Sequence, residues 1–223
     1  MNKLIVKKTG DGSSTIHNTK LDENYHSTYG ALQEAVHVFI ENGLKKTISN
    51  FKSSNRLDIL EVGFGTGLNC FLSLKYALSK KQNINYTGIE CYPLDFEILN
   101  QLNYALSNNE KIMFDDLHLS KWGELINITP NFKLTKLNIK FQNFISENKF
   151  HVIYFDAFGP RVEKFLWHID VFRQCFQLLY YGGSLVTYCA KGQVRRDLIS
   201  SGFKVERLQG PPGKREMLRA VKK

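Results

Sequence analysis

Residues 57–81, "LDILEVGFGTGLNCFLSLKYALSKK", constrain this chain more than any other stretch. An apolar run ending at Val62 reads as a buried strand. Three glycines at alternate positions, Gly63, Gly65 and Gly67, then hand the chain to a helical pattern. A strand that turns through glycines into a helix is the first half of a parallel crossover unit. Comparable apolar strands recur in "INYTGIE", "KLNIKFQ", "FHVIYFD" and "SLVTYCA", with helical stretches such as "PLDFEILNQLNYAL", "FRQCFQLLYYGG" and "QVRRDLISSGF" between them. The segment "FHVIYFD" is apolar almost throughout, as a strand covered on both faces must be. The closing pair "KVERL" and "EMLRAV", joined by "QGPPGKR", predicts an antiparallel edge. The reading is an α/β fold with a mostly parallel, seven-stranded, Rossmann-like sheet over residues 51–223.

Residues 1–50 read as an N-terminal extension. An Asp-Gly turn in "TGDGSS" predicts a hairpin, and "STYGALQEAVHVFIENGLKK" predicts a helix capped by Ser27 or Thr28 and closed by Gly43. The opening apolar run is three residues long, too short for a signal peptide, and no stretch approaches the roughly 20 apolar residues of a membrane span. A cytoplasmic location is expected. Cys70, Cys91, Cys175 and Cys189 are well separated, with no C-x-x-C spacing, so neither a disulfide frame nor a metal site is expected.

The glycine loop has the spacing G-x-G-x-G rather than the G-x-G-x-x-G of dinucleotide sites. Glycines let backbone approach a ligand where a helix N-terminus offers free N–H groups. Glu61 precedes the loop, where it can face a cationic methionine moiety. Glu90 ends the next strand, where a carboxylate can accept both hydroxyls of a ribose. S-adenosylmethionine carries a sulfonium and an ammonium but no pyrophosphate, so it fits this acid-flanked loop better than a dinucleotide, although Glu90 alone suits both. The combination is that of the SAM-dependent methyltransferase fold.

Asp156 stands where the apolar run "VIYF" stops, at a strand end that faces the ligand crevice in such sheets. It can accept a hydrogen bond and a proton from an amine. Phe158 can stack on a planar base, and Gly159-Pro160 stiffens the turn. Helix capping is the competing role for Asp156.

Charge is uneven. Residues 191–223 carry ten Lys/Arg against three Asp/Glu, +7 of the net +9. A concentrated basic surface favours a polyanionic partner, nucleic acid foremost, against a merely solvated face.

The segments "LDENYHSTYGALQEAVHVFI", "EVGFGTGLN", "GIECYPL", "YFDAFGP", "GGSLVTYCAKGQVRRDLISSGF" and "GPPGKREMLRA" resemble the methyltransferases that complete 5-methylaminomethyluridine at the tRNA wobble position. That family comprises MnmD and the N-terminal domain of bifunctional MnmC. The resemblance implies transfer of a methyl group from SAM to 5-aminomethyl(-2-thio)uridine 34. Glu61, Gly63, Gly65, Gly67 and Glu90 would hold the cofactor, and Asp156 would serve the amine. Arg195, Arg196, Lys214 and Arg215 would meet phosphates of the anticodon loop, with a local Arg215–Glu216 ion pair as the alternative. One departure stands out: Asn143 occupies the place of a family Asp that meets the adenine amino group, and an amide oxygen can still accept that bond. Bifunctional relatives continue into an FAD-dependent oxidase, and no second domain is expected here. Tyr25, His26 and Tyr29 can cover the pocket or face the RNA, and no catalytic role is assigned to His26. A methyltransferase of another amine, small molecule or protein, and a non-catalytic RNA-binding module are the rival readings.

Overall fold

A computed structural model describes residues 3–51 and 54–223. Strands β1 (Leu4–Lys8) and β2 (Ser14–Asn18) form the expected hairpin, with Lys8 opposite Ser14, and a two-residue β3 (Glu23–Asn24) joins β2. The hairpin turn caps the helix that follows. Asp11 Oδ2 accepts the Gln33 N–H at 2.9 Å, Ser13 Oγ the Leu32 N–H at 3.3 Å and Thr9 Oγ1 the Ala31 N–H at 3.4 Å. These oxygens satisfy first-turn donors that Ser27 and Thr28 were expected to cap.

The helix itself runs unbroken through α1 (Ala31–Ala35), a π-helical stretch Val36–Lys45 and α2 (Lys46–Ile48). Gly43 therefore does not close it. A Cβ on Gly43 would lie 2.9 Å from Val186 Cγ2, so this glycine marks the place where the helix presses on the sheet.

The main sheet has eight strands, one more than expected. In chain order they are β4 (Arg56–Val62), β5 (Asn83–Ile89), β6 (Leu125–Thr129), β7 (Phe132–Leu137), β8 (Phe150–Phe155), β9 (Leu179–Thr187), β10 (Lys204–Gln209) and β11 (Glu216–Val221). Across the sheet the order is β10-β11-β9-β8-β4-β5-β7-β6. The five central strands are parallel, while β10, β11 and β6 run antiparallel to their neighbours. The extra strand, β6, pairs with β7 in a hairpin inside a region whose sequence reads as irregular. Before it, α5 (Asn108–Leu119) is fixed by reciprocal capping: Ser107 Oγ accepts the Glu110 N–H, and Glu110 Oε2 accepts the Leu106 N–H.

Helices α3 (Leu68–Lys80), α4 (Phe96–Leu99), α6 (Ile169–Leu178) and α7 (Gly192–Ser200) complete the frame. Only one turn of the helix expected after Pro93 forms. The helix α6 stops at Leu178, and Gly182-Gly183 lie within β9 rather than ending a helix.

Strand alternation distributes two cores. Ile59, Tyr154 and Val186 pack with Val38, Phe39 and Phe71 on the face that α3 and the π-helical stretch cover. Leu60, Val62, Ile153, Phe155 and Leu185 pack with Phe172 and Leu218 on the other. Both faces of β8 are covered, which accounts for its continuous apolar sequence. Cys70, Cys175 and Cys189 are buried and Cys91 is half-buried, all of them free thiols. Among the described residues no helix is long and apolar enough to cross a membrane.

Candidate active site

The chain steps outward from β4 through β5 to β7 and returns to β8 on the other side of β4. Ligand crevices form at such reversals, outside the carboxyl ends of the strands. A cavity of about 1110 Å³ opens there, lined by Gly63, Gly65, Glu90, Asp156, Phe158 and Lys214 among others.

The glycine loop has no room for side chains. Gly63 has φ 91°, and a Cβ on it would meet the Asp156 carbonyl oxygen at 2.8 Å. Gly67, the N-cap of α3, has φ 71°, and a Cβ there would stand 2.7 Å from the His118 ring. Gly67 thus serves the packing behind the loop and does not line the cavity. Glu90 follows β5 directly. Its Oε2 accepts the Gly65 N–H and its Oε1 the Tyr92 N–H, both at 2.9 Å. Two backbone donors fix the carboxylate and leave lone pairs open towards the cavity; burial raises its pKa above the ordinary range.

Asp156 sits just past β8, its N–H bonded to the Val62 carbonyl at 3.0 Å. Its Oδ2 accepts from Asn69 Nδ2 at 2.7 Å. Burial first, and then the charge of Glu34, push its carboxyl well above the usual range, against the opposing pull of Asn69 and Lys214. The same Asn69 Nδ2 donates to Glu61 Oε1 at 2.8 Å, and Tyr86 O–H donates to Glu61 Oε2 at 2.8 Å. Glu61 lies on the strand face shared by Leu57 and Ile59, beneath α3, and is 1% exposed. It does not line the cavity, so the expectation that it faces a cationic ligand directly is corrected by strand alternation.

Both ends of the chain contribute walls. Lys214 forms an ion pair with buried Glu34, and its Nζ stands 3.9 Å from the centre of the Tyr188 ring. The Tyr29 ring occupies the space a Cβ of Gly213 would need, and His37 Nε2 bonds the Gln209 carbonyl at 2.8 Å. Tyr25 meets Phe158 edge-on, ring centres 4.8 Å apart. His26 Nε2 bonds Thr66 Oγ1 at 2.6 Å, and burial pushes the ring down to about 4, a neutral group tying the extension to the glycine loop. Glu163 also lines the cavity, and burial with the nearby Glu90 raises its carboxyl to about 7.

Other expected contacts lie elsewhere. Asn143 closes a 3-10 turn, Phe141–Asn143, is exposed and does not line the cavity, whereas its neighbour Gln142 does. The strand expected over 136–142 ends at Leu137, so the position that the resemblance indicated lies beyond the sheet. Arg195 and Arg196 on α7 and exposed Arg215 stand outside the cavity. Arg196 donates to Gln193 Oε1, and Arg195 Nε is buried without a partner among the described residues. Arg215 has no ion pair with Glu216, which instead faces Arg207 at 3.4 Å. Arg219 pairs with Glu206, and Lys222 donates to the Phe176 and Leu179 carbonyls, so part of the basic tail is consumed internally. Among the described residues no group of three or more His, Cys, Asp or Glu side chains is placed to hold a metal ion.

Known proteins resemble this chain in sequence and in fold. The chain is 32% identical over 212 residues to the "tRNA 5-methylaminomethyl-2-thiouridine biosynthesis bifunctional protein MnmC" of Leptospira interrogans, covering 89% of this chain and 32% of that protein. The protein of the same name from Dichelobacter nodosus is 27% identical over 216 residues, 92% of this chain and 35% of the relative. The chain thus spans about a third of the length of these curated relatives. The crystal structure of MNMC2 from Aquifex aeolicus superposes with a TM-score of 0.81 at 22% identity, covering 99% of this chain and 71% of that one. Streptomyces venezuelae DesVI gives 0.51 at 12% identity, over 86% and 92%. The superpositions give the SAM-methyltransferase form of the Rossmann-like fold. A family profile described as S-adenosyl-L-methionine-dependent methyltransferase matches residues 108–223, just over half of the sequence. The glycine loop lies ahead of the matched segment and Asp156 within it; by that match over more than half of its length, the chain belongs to the S-adenosyl-L-methionine-dependent methyltransferases.

Proposed function

We propose that the chain methylates the amine of 5-aminomethyl(-2-thio)uridine at wobble position 34 of tRNA. The observation that carries this reading is Asp156, a carboxyl held above its ordinary range on the same cavity wall as the glycine loop and Glu90. The names borne by the MnmC relatives point to the same modified nucleoside.

The cavity chemistry fits the cofactor. Glu90 keeps acceptor capacity for a vicinal diol, Gly65 presents bare backbone beside it, and Gln142 offers an amide in reach of a base. S-adenosylmethionine, when bound, supplies an electrophilic methyl on sulfur. The chain's residues handle the other reactant. A primary amine is largely protonated near neutral pH and must lose a proton before it is nucleophilic. Asp156 accepts that proton on its carboxylate, and a carboxylate held above its ordinary range is the stronger base for the task. Glu34, Glu90 and Glu163, which line the cavity with Asp156, make it favourable to a cationic acceptor. They disfavour a carboxymethylated one, whose carboxylate would enter the same field. Lys214, whose charge acts on Asp156, is already paired with Glu34.

Phe158, edge-on to Tyr25 at the cavity, is suited to stack on the uracil ring. Exposed Lys191 and Arg215, with Arg195 and Arg196, form the basic surface for anticodon-loop phosphates in the cytoplasm. The test is radiolabelled methyl transfer to purified aminomethyl-tRNA and carboxymethylaminomethyl-tRNA. Incorporation is expected in the first only. Asp156→Ala should lower kcat about 100-fold or more with SAM still bound, and Asp156→Asn should fall between. Comparable labelling of both tRNAs, or full activity in Asp156→Ala, refutes the reading.

A further inference from the structure

Asn69 is the second residue of α3, 2% exposed, and yet it lines the cavity. Its Nδ2 stands 2.8 Å from Glu61 Oε1 and 2.7 Å from Asp156 Oδ2. An amide nitrogen has two in-plane hydrogens, and here each has a carboxylate acceptor. That fixes the amide's orientation, since a flipped group would set its oxygen against both carboxylates. The consequence lies on the other side of the amide. Asn69 Oδ1 is buried and has no hydrogen-bond partner among the described residues. A buried carbonyl without a donor is costly, by about 1–3 kcal/mol, and is uncommon unless a ligand completes it.

Glu61 has no structural cation to neutralise it among the described residues; it holds only the Asn69 and Tyr86 donors. Its position under α3, where an apolar residue would pack, calls for a purpose beyond stability.

We propose that Asn69 is the positioning residue of the active site: anchored from behind by Glu61, it fixes the Asp156 carboxylate and presents its own Oδ1 to an N–H of a cationic amine in the cavity. The inference rests on Asp156 being the base, as above. Amine donors in this cavity have two sources, the acceptor nucleoside and the ammonium of SAM, and the test separates them. One N–H of the acceptor would go to Asp156, which takes the proton, and a second to Asn69 Oδ1. The lone pair left by that proton first faces Asp156, and the Asn69 bond limits the rotations about the C–N bond that turn it towards the methyl group, an orientation effect of the kind that sets reaction rates.

The Asn69 bond also favours the ionised form of Asp156. The other groups that face this carboxyl are Glu34 from α1, Glu61 from β4, Tyr104, Tyr188 and Lys214; of these, Glu61 also loses a donor when Asn69 is replaced.

The direct measurement needs neither cofactor nor tRNA. The 13C-carboxyl titration of Asp156, identified by its absence in Asp156→Asn, is followed in the wild-type chain, in Asn69→Ala and in Asn69→Ser. The midpoint is expected to move to higher pH in Asn69→Ala and less far in Asn69→Ser, whose hydroxyl can still donate one bond. Steady-state kinetics on aminomethyl-tRNA should show kcat down about 10- to 100-fold in Asn69→Ala, KM for tRNA raised, and SAM affinity by calorimetry unchanged. An unmoved Asp156 midpoint in a folded Asn69→Ala overturns the proposal whatever the enzyme's substrate proves to be. Loss of SAM affinity with kcat at saturation unchanged also overturns it, because Oδ1 then serves the SAM ammonium. A shifted midpoint in a protein that methylates neither tRNA supports the Asn69 role and refutes only the nucleoside assignment.

Discussion

Glu163→Gln should stabilise this protein at pH 8 and do little at pH 5. Glu163 lines the cavity with no cation beside it among the described residues. Burial, with Glu90 nearby, lifts its carboxyl from 4.5 to about 7. An acid whose pKa is raised by folding binds its proton more tightly in the folded state. Its contribution is therefore intact below the unfolded value of 4.5 and is lost as pH rises through about 7. At about 1.4 kcal/mol per pH decade the full loss would be roughly 3 kcal/mol. Glu163 keeps partial contact with solvent, and screening brings the figure to about 1–2 kcal/mol. Glutamine has the same shape and no charge to desolvate, so the variant should escape this loss. For a chain of this size that is a rise in Tm of about 2–6 °C at pH 8, shrinking to about a quarter of that at pH 5. Scanning calorimetry of both proteins from pH 5 to 8.5 makes the comparison. A gain equally large at both ends of the range would mean that Glu163→Gln acts through packing. No gain at pH 8 would mean that the Glu163 carboxylate is solvated or paired in solution.

Glu90→Ala should weaken SAM binding by about 1.5–3 kcal/mol, a 10- to 100-fold loss by calorimetry, since a charged acceptor would be removed from two hydroxyls; unchanged affinity in a folded variant removes Glu90 from the site. Gly67→Ala brings a methyl to within 2.7 Å of the His118 ring at φ 71°. A loss of about 1–3 kcal/mol in urea unfolding is expected, and a neutral result would mean that the loop and α5 move apart without cost.

The parts of the site that depend on local patterns were legible in the residues alone. Gly63, Gly65 and Glu90 stand on consecutive strand ends, and Asp156 closes a run apolar enough to locate a central strand. What failed did so for physical reasons. Glu61 was read by its distance in sequence from the loop, but alternation along β4 turns it under α3, where only the fold supplies Asn69 and Tyr86. Asn69 itself follows the third glycine in "GTGLN", and its place at the helix N-terminus was the signal that could have found it. Asn143 rests on the family resemblance at the end of an expected strand, but the segment leaves the sheet at Leu137 and turns in a 3-10 step. The cap of α1 could not be seen locally, because its oxygens come from residues about 20 positions upstream. The same holds for Glu34 and Lys214, 180 positions apart.

That last separation has a consequence for how the protein is made. Glu34 with Lys214 and His37 with Gln209 join residues 180 and 172 positions apart, and Tyr29 with Gly213 spans a similar length. Contacts of such span carry the largest loop-closure cost and form when most of the chain is already ordered. The central parallel strands can assemble from nearer neighbours, so a largely folded protein precedes a finished cavity. During synthesis, ligand binding is acquired only after residue 214 has emerged. A lesion in the 25–37 or 209–214 segment should therefore yield a chain that is structured by far-ultraviolet dichroism and resistant to proteolysis in its sheet, yet blind to its cofactor.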